Sequence, residues 1–341
     1  MPTFRTGRVT ELISERTGLQ RVRVNLGLDE TARAYVLVDL TGPVALDDEV
    51  VCNTTAVELS LGTGGWHVVH WNLSRREFQR NGPDHIMKLR YTSLQVDAGT
   101  DELVHPEAAD ASLDGVPVVA CSLHSQMAVV AATIAAMRPE ARIAYVMTDG
   151  AALPLVMSDL VVGLRSAGVL CGTVTAGHAF GGDLEAVSAA SALGLARHVL
   201  AADAIVVAMG PGVVGTGTSL GTTSVEVAQI LDLARKMGGT PVLAVRASDG
   251  DGRTRHQGIS HHTETAARLC FARPLVALVP AEAADLPEVE VRDPGDVPDP
   301  TETLGAFDLR VTTMGRSIDD DPLFFRAAAA AGALAAGLMV Q

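Results

Sequence analysis

Residues 174–187 read VTAGHAFGGDLEAV, which places an imidazole and two carboxylates around a glycine pair just past an apolar run. His178, Asp183 and Glu185 are residue types that exchange protons or ligate divalent ions, and Gly181 and Gly182 free the backbone to bend between them. Asp183 is equally suited to cap a following helix, with Glu185 favouring its dipole, but capping gives no reason for His178 beside the bend. A second stretch, GPGVVGTGTSLGTTS, supplies Gly210, Gly212, Gly215, Thr216, Gly217 and Thr218 ahead of a helix. Unhindered N–H groups and hydroxyls in that position suit an anion, and a long turn is the plainer account of the same glycines. The literal G-x-G-x-x-G is not a dinucleotide fingerprint. The loop runs on to Gly221, follows a middle strand, and is not followed by an acid at a strand end about 20 residues later. NAD is therefore not favoured.

The third stretch, SDGDGRTRHQGISHHT, holds Asp249, Asp251 and His256, then Ser260-His261-His262-Thr263 at a helix start. A histidine there is kept neutral by the helix dipole, the form that acts as a base or ligates a metal. Without H-E-x-x-H or H-x-H, a divalent ion would need ligands from several loops; the alternative is a Ser260 cap with solvated histidines. Ser122, His124 and Ser125 suggest a nucleophile, but no G-x-S-x-G elbow surrounds them and Ser125 is equally a cap.

The elements that must position these residues show two textures. Residues 1–80 alternate in short runs, GRVTELIS, LQRVRVNL, RAYVLVDL, EVVCNTTA and WHVVHWNL, which predicts a small SH3-like or OB-like β-barrel. Nine arginines meet ten acidic residues there, so no basic groove for single-stranded nucleic acid is expected; Trp66 and Trp71, five apart, fall on opposite faces of their strand and serve packing. Residues 81–115 read as a connector. From 116 to 341, continuous apolar strands alternate with amphipathic helices, the signature of a parallel sheet covered on both faces. The strands are VPVVACSL, RIAYVMTD, VLCGTVTAG, DAIVVAMGP, PVLAVRAS and PLVALVP, with FDLRVTTMG as a seventh. Helix starts are marked by a Thr223–Glu226 capping box and by Pro154 and Pro322, and the Pro- and Asp-rich stretch 282–303 reads as a surface excursion. The expected class is α/β, a Rossmann-like doubly wound, mostly parallel sheet; an eight-stranded α/β barrel lacks one unit. On such a sheet ligands sit beyond the carboxyl ends of the strands, where all three stretches fall, together with Thr148-Asp149-Gly150.

Composition narrows the partners. The 341-residue chain carries a formal charge of −14, which disfavours nucleic acid and anionic membranes. Lys88 and Lys236 are the only lysines, so arginine abundance reads as coding bias rather than function. Four scattered cysteines without a C-x-x-C pair, and a start without an apolar signal core, point to the cytoplasm. The longest apolar run, AAAAAGALAAGLMV, has 14 residues, short of the roughly 20 of a bilayer span. Its smooth face suits close helix packing and suggests a homo-oligomer, a dimer first.

NTTAVELSLGTGG, HIMKLRYT, TAGHAFGGDLEAV, GPGVVGTGT and SHHTETA together resemble a bacterial family of unknown function, DUF3866, over nearly the whole chain. The resemblance implies no activity and no catalytic residues. From the residues themselves, the expectation is an enzyme acting on a small anionic, phosphorylated or otherwise, molecule. Residues 210–219 would hold the anion and His178 or His261 would act as acid/base, with His124 in the same cleft. Asp149, Asp183 and Glu185 would orient it or help bind a divalent metal. The alternatives are a non-catalytic ligand-binding or regulatory protein using the same cleft, and an assembly protein docking a partner through the barrel.

Overall fold

The computed structural model describes residues 2–27 and 30–339, in two compact units that divide between Gly99 and Thr100. In the first unit, strands β1 (Phe4–Arg16), β2 (Leu19–Asn25), β3 (Thr31–Leu37), β4 (Glu49–Asn53) and β5 (Trp66–Asn72) close a barrel in the order β1-β2-β3-β5-β4. The pair β3–β5 is parallel and the others antiparallel, the Greek-key form of an OB-like barrel. Short helices α1 (Val38–Thr41) and α2 (Thr55–Glu58) follow β3 and β4. The period-two pattern places Val9, Val22, Val24, Val36, Val50, Cys52 and Val69 inside. One expectation fails at β5. A bulge between Val69 and Trp71 shifts the register against β4, so Asn72 resumes the buried side and Trp71 shares the outer side with Trp66. Trp66 stacks on Tyr35 with ring centroids 4.7 Å apart and lies under the Arg33 guanidinium. A small ribbon of β6 (Met87–Lys88) and β7 (Val96–Asp97) completes the unit.

The second unit opens with α3 (Pro106–Ala109) and is built on β8 (Pro117–Cys121), β9 (Ile143–Thr148), β10 (Gly172–Ala176), β11 (Leu184–Ala186), β12 (Ala204–Met209) and β13 (Thr240–Leu243). A side ribbon of β14 (Ala247–Ser248) and β15 (Gly258–Ile259) precedes the last strands, β16 (Leu275–Ala277) and β17 (Glu290–Arg292). The sheet order is β11-β10-β9-β12-β8-β13-β16-β17, and every pairing is parallel. Helices α4 (His124–Met137), α5 (Asp159–Ser166), α9 (Pro300–Ala306) and α10 (Pro322–Leu338) pack on one face. The other face is covered by α3, α6 (Ala189–His198), α7 (Glu226–Lys236) and α8 (His261–Leu269). Because both faces are covered, β8, β9 and β12 are buried along their whole length, which explains their unbroken Val/Ile/Ala runs. The chain leaves β8 towards β9 and leaves β13 towards β16, so the connections diverge between β8 and β13. In open α/β sheets ligands bind beyond the carboxyl ends of the strands at such a divergence.

Several expectations are corrected. FDLRVTTMG forms no strand; Thr313 and Arg316 make an isolated bridge. The surface excursion instead contains β17, and the residues assigned to the start of a helix after Asp183 form β11. The expected Thr223 cap moves to Thr222, whose hydroxyl accepts from the Ser224 N–H, while Glu226 turns away to Thr148. Much of the apolar face of α10 packs within the chain: Ala328–Ala331 and Ala335 are essentially inaccessible in the core shared with α4. Val340, the last residue of that run, lies outside the described residues.

A Cβ at Gly332 would meet the Val130 carbonyl at 2.8 Å and the Thr133 side chain at 2.9 Å. Gly332→Val is therefore expected to destabilise the protein by about 1–3 kcal/mol, read as a lower urea midpoint at unchanged slope.

Candidate functional site

The stretch after β10 is built for backbone architecture. Parallel neighbours usually need a crossover of a dozen residues or more; here β11 pairs with β10, Val174 opposite Leu184, across a seven-residue return, 177–183. Gly181 adopts φ +91°, and a Cβ on Gly182 would meet the Leu184 carbonyl at 2.7 Å and the Thr175 N–H at 2.9 Å. The acids staple this return. Asp183 Oδ2 accepts from the Thr173 N–H (2.9 Å), the Thr173 hydroxyl (3.0 Å) and Arg165 Nη1 (2.5 Å). Glu185 accepts from the Thr175 hydroxyl (2.7 Å) and the Gly181 N–H (2.6 Å). Asp149, at the end of β9, accepts from the His178 N–H at 3.0 Å. Asp101 and Glu102 take the N–H groups of Glu185 and Val187, both at 2.7 Å, and so blunt the sheet edge. Asp183 is thus a backbone staple, and the helix cap weighed as the alternative for it does not form, because β11 follows it.

His124 is buried at the first turn of α4. Its Nε2 lies 2.6 Å from the Ser158 hydroxyl, and its Nδ1 lies 3.2 Å from both the Met209 carbonyl and the Tyr145 hydroxyl. The carbonyl accepts only, so Nδ1 carries the proton and Ser158 donates to Nε2. Burial pushes the ring pKa down to about 4, the Met209 hydrogen bond opposing it. Both nitrogens are occupied inside the core, and the serine it meets is Ser158, which caps α5, rather than Ser122 or Ser125. An acid the sequence did not single out for chemistry is Glu226. Burial, opposed by the Thr148 hydroxyl at 2.6 Å and reinforced by Asp149, raises its pKa to about 7.

The glycine loop is a self-bonded tongue. Gly215 bridges to Thr222; the Thr216 N–H donates to the Gly221 carbonyl (2.7 Å), the Gly221 N–H to the Thr218 hydroxyl (3.0 Å), and the Thr216 and Thr218 hydroxyls bond each other (3.0 Å). Gly210 is packed against the Ala152 carbonyl, and Gly212 and Gly217 take φ of +100° and +86°. The tongue's threonines are spent on its own fold. Its inner side, Gly215 and Gly217, faces the third stretch.

There the functional types converge. A cavity of about 110 Å³ is lined by Gly215 and Gly217 and by Arg246, Arg253, Arg255, His256 and His262. The ring centroids of His256, His261 and His262 lie 4.4–5.0 Å apart, and one nitrogen from each lies within 4.8 Å of the others, the one such group among the described residues with metal-ligand spacing. His256 Nδ1 is 2.7 Å from the buried Ser260 hydroxyl, Arg246 Nη1 donates to His262 Nδ1 at 2.9 Å, and His261 Nε2 is buried without a partner among the described residues. A Cβ on Gly215 would sit 3.7 Å from His262 Nε2, so that nitrogen faces the tongue. Burial and the Arg246 charge push His256 and His262 down to about 3, and burial with Arg255 lowers His261. All three rings are neutral at physiological pH. Asp251 holds the arginines: Arg253 grips it with two bonds of 2.9 and 2.7 Å, Arg316 reaches it at 3.2 Å, and Arg246 lies 4.0 Å away. Arg253 thereby keeps the Asp251 carboxyl well below its usual range. Arg246, Arg253 and Arg316 surround two buried carboxylates, Asp251 and Asp321, and burial together with the Arg253 and Arg316 charges pushes Arg246 down to about 10. Of the expected site residues, His261 and the glycine loop meet here. Asp183 and Glu185 belong to the β10 return and His124 to the core. A larger cleft of about 580 Å³ at the amino ends of the strands, between Pro117, Arg138, Asp203 and Met339, contains no histidine and no glycine tongue.

The chain belongs to the family of proteins of unknown function DUF3866, whose model matches residues 33–332. No curated protein and no solved structure matches it. Among the described residues, no helix is long and apolar enough to cross a membrane.

Two outcomes follow from the buried groups. His124→Ala should cost about 2–4 kcal/mol in chemical denaturation, because it opens a cavity and leaves the Ser158 hydroxyl without its acceptor. Glu226 has a folded pKa of about 7, above the ordinary glutamate value of 4.5. Its protonated form favours the fold below about pH 4.5, and that contribution is lost as pH rises through 7. Glu226→Gln should therefore gain stability over wild type at pH 8 and little at pH 4.5, measured by paired thermal melts.

Proposed function

We propose that this member of a family of unknown function is an enzyme acting on a small anionic molecule, whose charged group enters the cavity beyond the carboxyl ends of β12 and β13. The observation that carries this is the set of cavity walls: Arg246, Arg253 and Arg255 with neutral His256 and His262, under the glycine tongue. A surplus of guanidinium charge inside a chain of charge −14 attracts an anion, and partial burial strengthens that attraction. The volume, about 110 Å³, suits an anionic head group with the rest of the molecule outside, since sites enclosing a drug-sized ligand run to roughly 300–1,000 Å³. His261, neutral and with an unpartnered buried Nε2, is the acid–base residue of this reading. A non-catalytic binder would use the same walls, and turnover separates the two.

Isothermal titration with inorganic phosphate, pyrophosphate and citrate should give one site per chain. Arg255 is exposed and makes no ion pair among the described residues, so Arg255→Ala should fold normally and weaken binding about tenfold, ~1.4 kcal/mol. Absence of heat with every anion would remove the reading. In a screen of phosphate and carboxylate esters, His261→Asn should keep binding and lose turnover; binding without turnover in the wild type would make the protein a sensor.

A further inference from the structure

The three clustered histidines invite a metal, and their spacing alone permits one. Their hydrogen-bond partners decide otherwise. Arginine has donors only, so the Arg246 contact at 2.9 Å makes His262 Nδ1 an acceptor and leaves the proton on Nε2. Ser260 is fully buried, and its oxygen already accepts the His262 N–H at 3.3 Å. Among the described residues, the only acceptor for its own proton is His256 Nδ1 at 2.7 Å. His256 therefore also carries its proton on Nε2. A metal-bound histidine needs the opposite arrangement, a lone pair towards the ion and an N–H towards a carboxylate or carbonyl.

Resting on the anion reading above, we infer that this cavity is a donor cage for a tetrahedral oxyanion, a phosphate or phosphoryl group, in which Ser260 and Arg246 lock His256 and His262 as Nε2–H donors and thereby exclude a divalent metal. The donors come from three segments: Arg246 follows β13, Arg253, Arg255 and His256 lie before β15, and His262 lies in α8. A planar carboxylate is satisfied by one or two in-plane forks. A phosphoryl group spreads three oxygens around a tetrahedron and can accept from all three segments.

Long-range ¹H–¹⁵N correlation on the ligand-free protein reads the tautomers directly. Both His256 and His262 should be Nε2–H. Calorimetry should show inorganic phosphate binding at least tenfold more tightly than citrate, with Zn²⁺ unable to displace it. Ser260→Ala frees His256 Nδ1; phosphate should weaken about tenfold and Zn²⁺ uptake should appear. An Nδ1–H tautomer at either ring, or stoichiometric Zn²⁺ that displaces phosphate from the wild type, overturns the cage. Citrate binding without phosphate binding overturns it too, yet leaves the anion reading standing. The tautomer measurement needs no variant, so a misfolded Ser260→Ala does not rescue the inference.

Discussion

The carboxylate of Asp251 is the contact on which the site depends. Guanidinium groups repel one another, and Arg246, Arg253 and Arg316 approach closely only because one buried anion lies among them. Asp251 in turn is positioned by the Ser248 hydroxyl, which donates to Asp321, and Asp321 accepts from the N–H groups of Asp249 and Gly250. Loop 249–256 is therefore ordered by charge rather than by apolar burial. That arrangement leaves cationic and imidazole donors facing a cavity, which a hydrophobically packed loop does not provide.

The sheet supplies the rest of the geometry. Gln126, at the first turn of α4, donates to the carbonyls of Ala244 and Val245 and accepts from the N–H groups of Ser122 and Leu123, tying the end of β8 to that of β13. β8 lies between β12 and β13, so the loops that follow those two strands meet above it. The tongue after β12 and the arginine–histidine loop after β13 are brought together by sheet order, although their lining residues, Gly215 and His262, are far apart in sequence. The carboxylates after β9 and β10 stand on the other side of β12 and are used on backbone N–H groups.

Much of this was legible in the residues. The five barrel strands and the central strands were clear because alternation and unbroken apolar runs are direct consequences of one-sided and two-sided burial. β11 and β17 were not, because three residues carry no period and their pairing comes from neighbours elsewhere in the chain. In the opening stretch Asp183 and Glu185 bond backbone N–H groups, an employment their residue types alone do not announce. Whether an acid caps, staples or catalyses depends on partners such as Thr173 and Arg165, which only the β10–β11 pairing brings near. Arg246, Arg253 and Arg255 were visible, yet an arginine-for-lysine bias across the chain masked them. A denser local signal was available: three arginines and three histidines within residues 246–262.

The burial of α10 against α4 bears on how the chain is made. The Arg138 side chain bonds the Ala336 carbonyl, 198 positions later, and Asp321, immediately before α10, anchors loop 249–251. During synthesis α4 must wait, with its outer apolar face uncovered, until α10 leaves the ribosome, an interval of roughly 10–40 s at about 5–20 residues per second. Throughout that interval Asp321 is absent and loop 249–251 lacks its anchor. The nascent chain therefore carries an unanchored loop and an exposed apolar helix face, and the docking of α10 ends both conditions together.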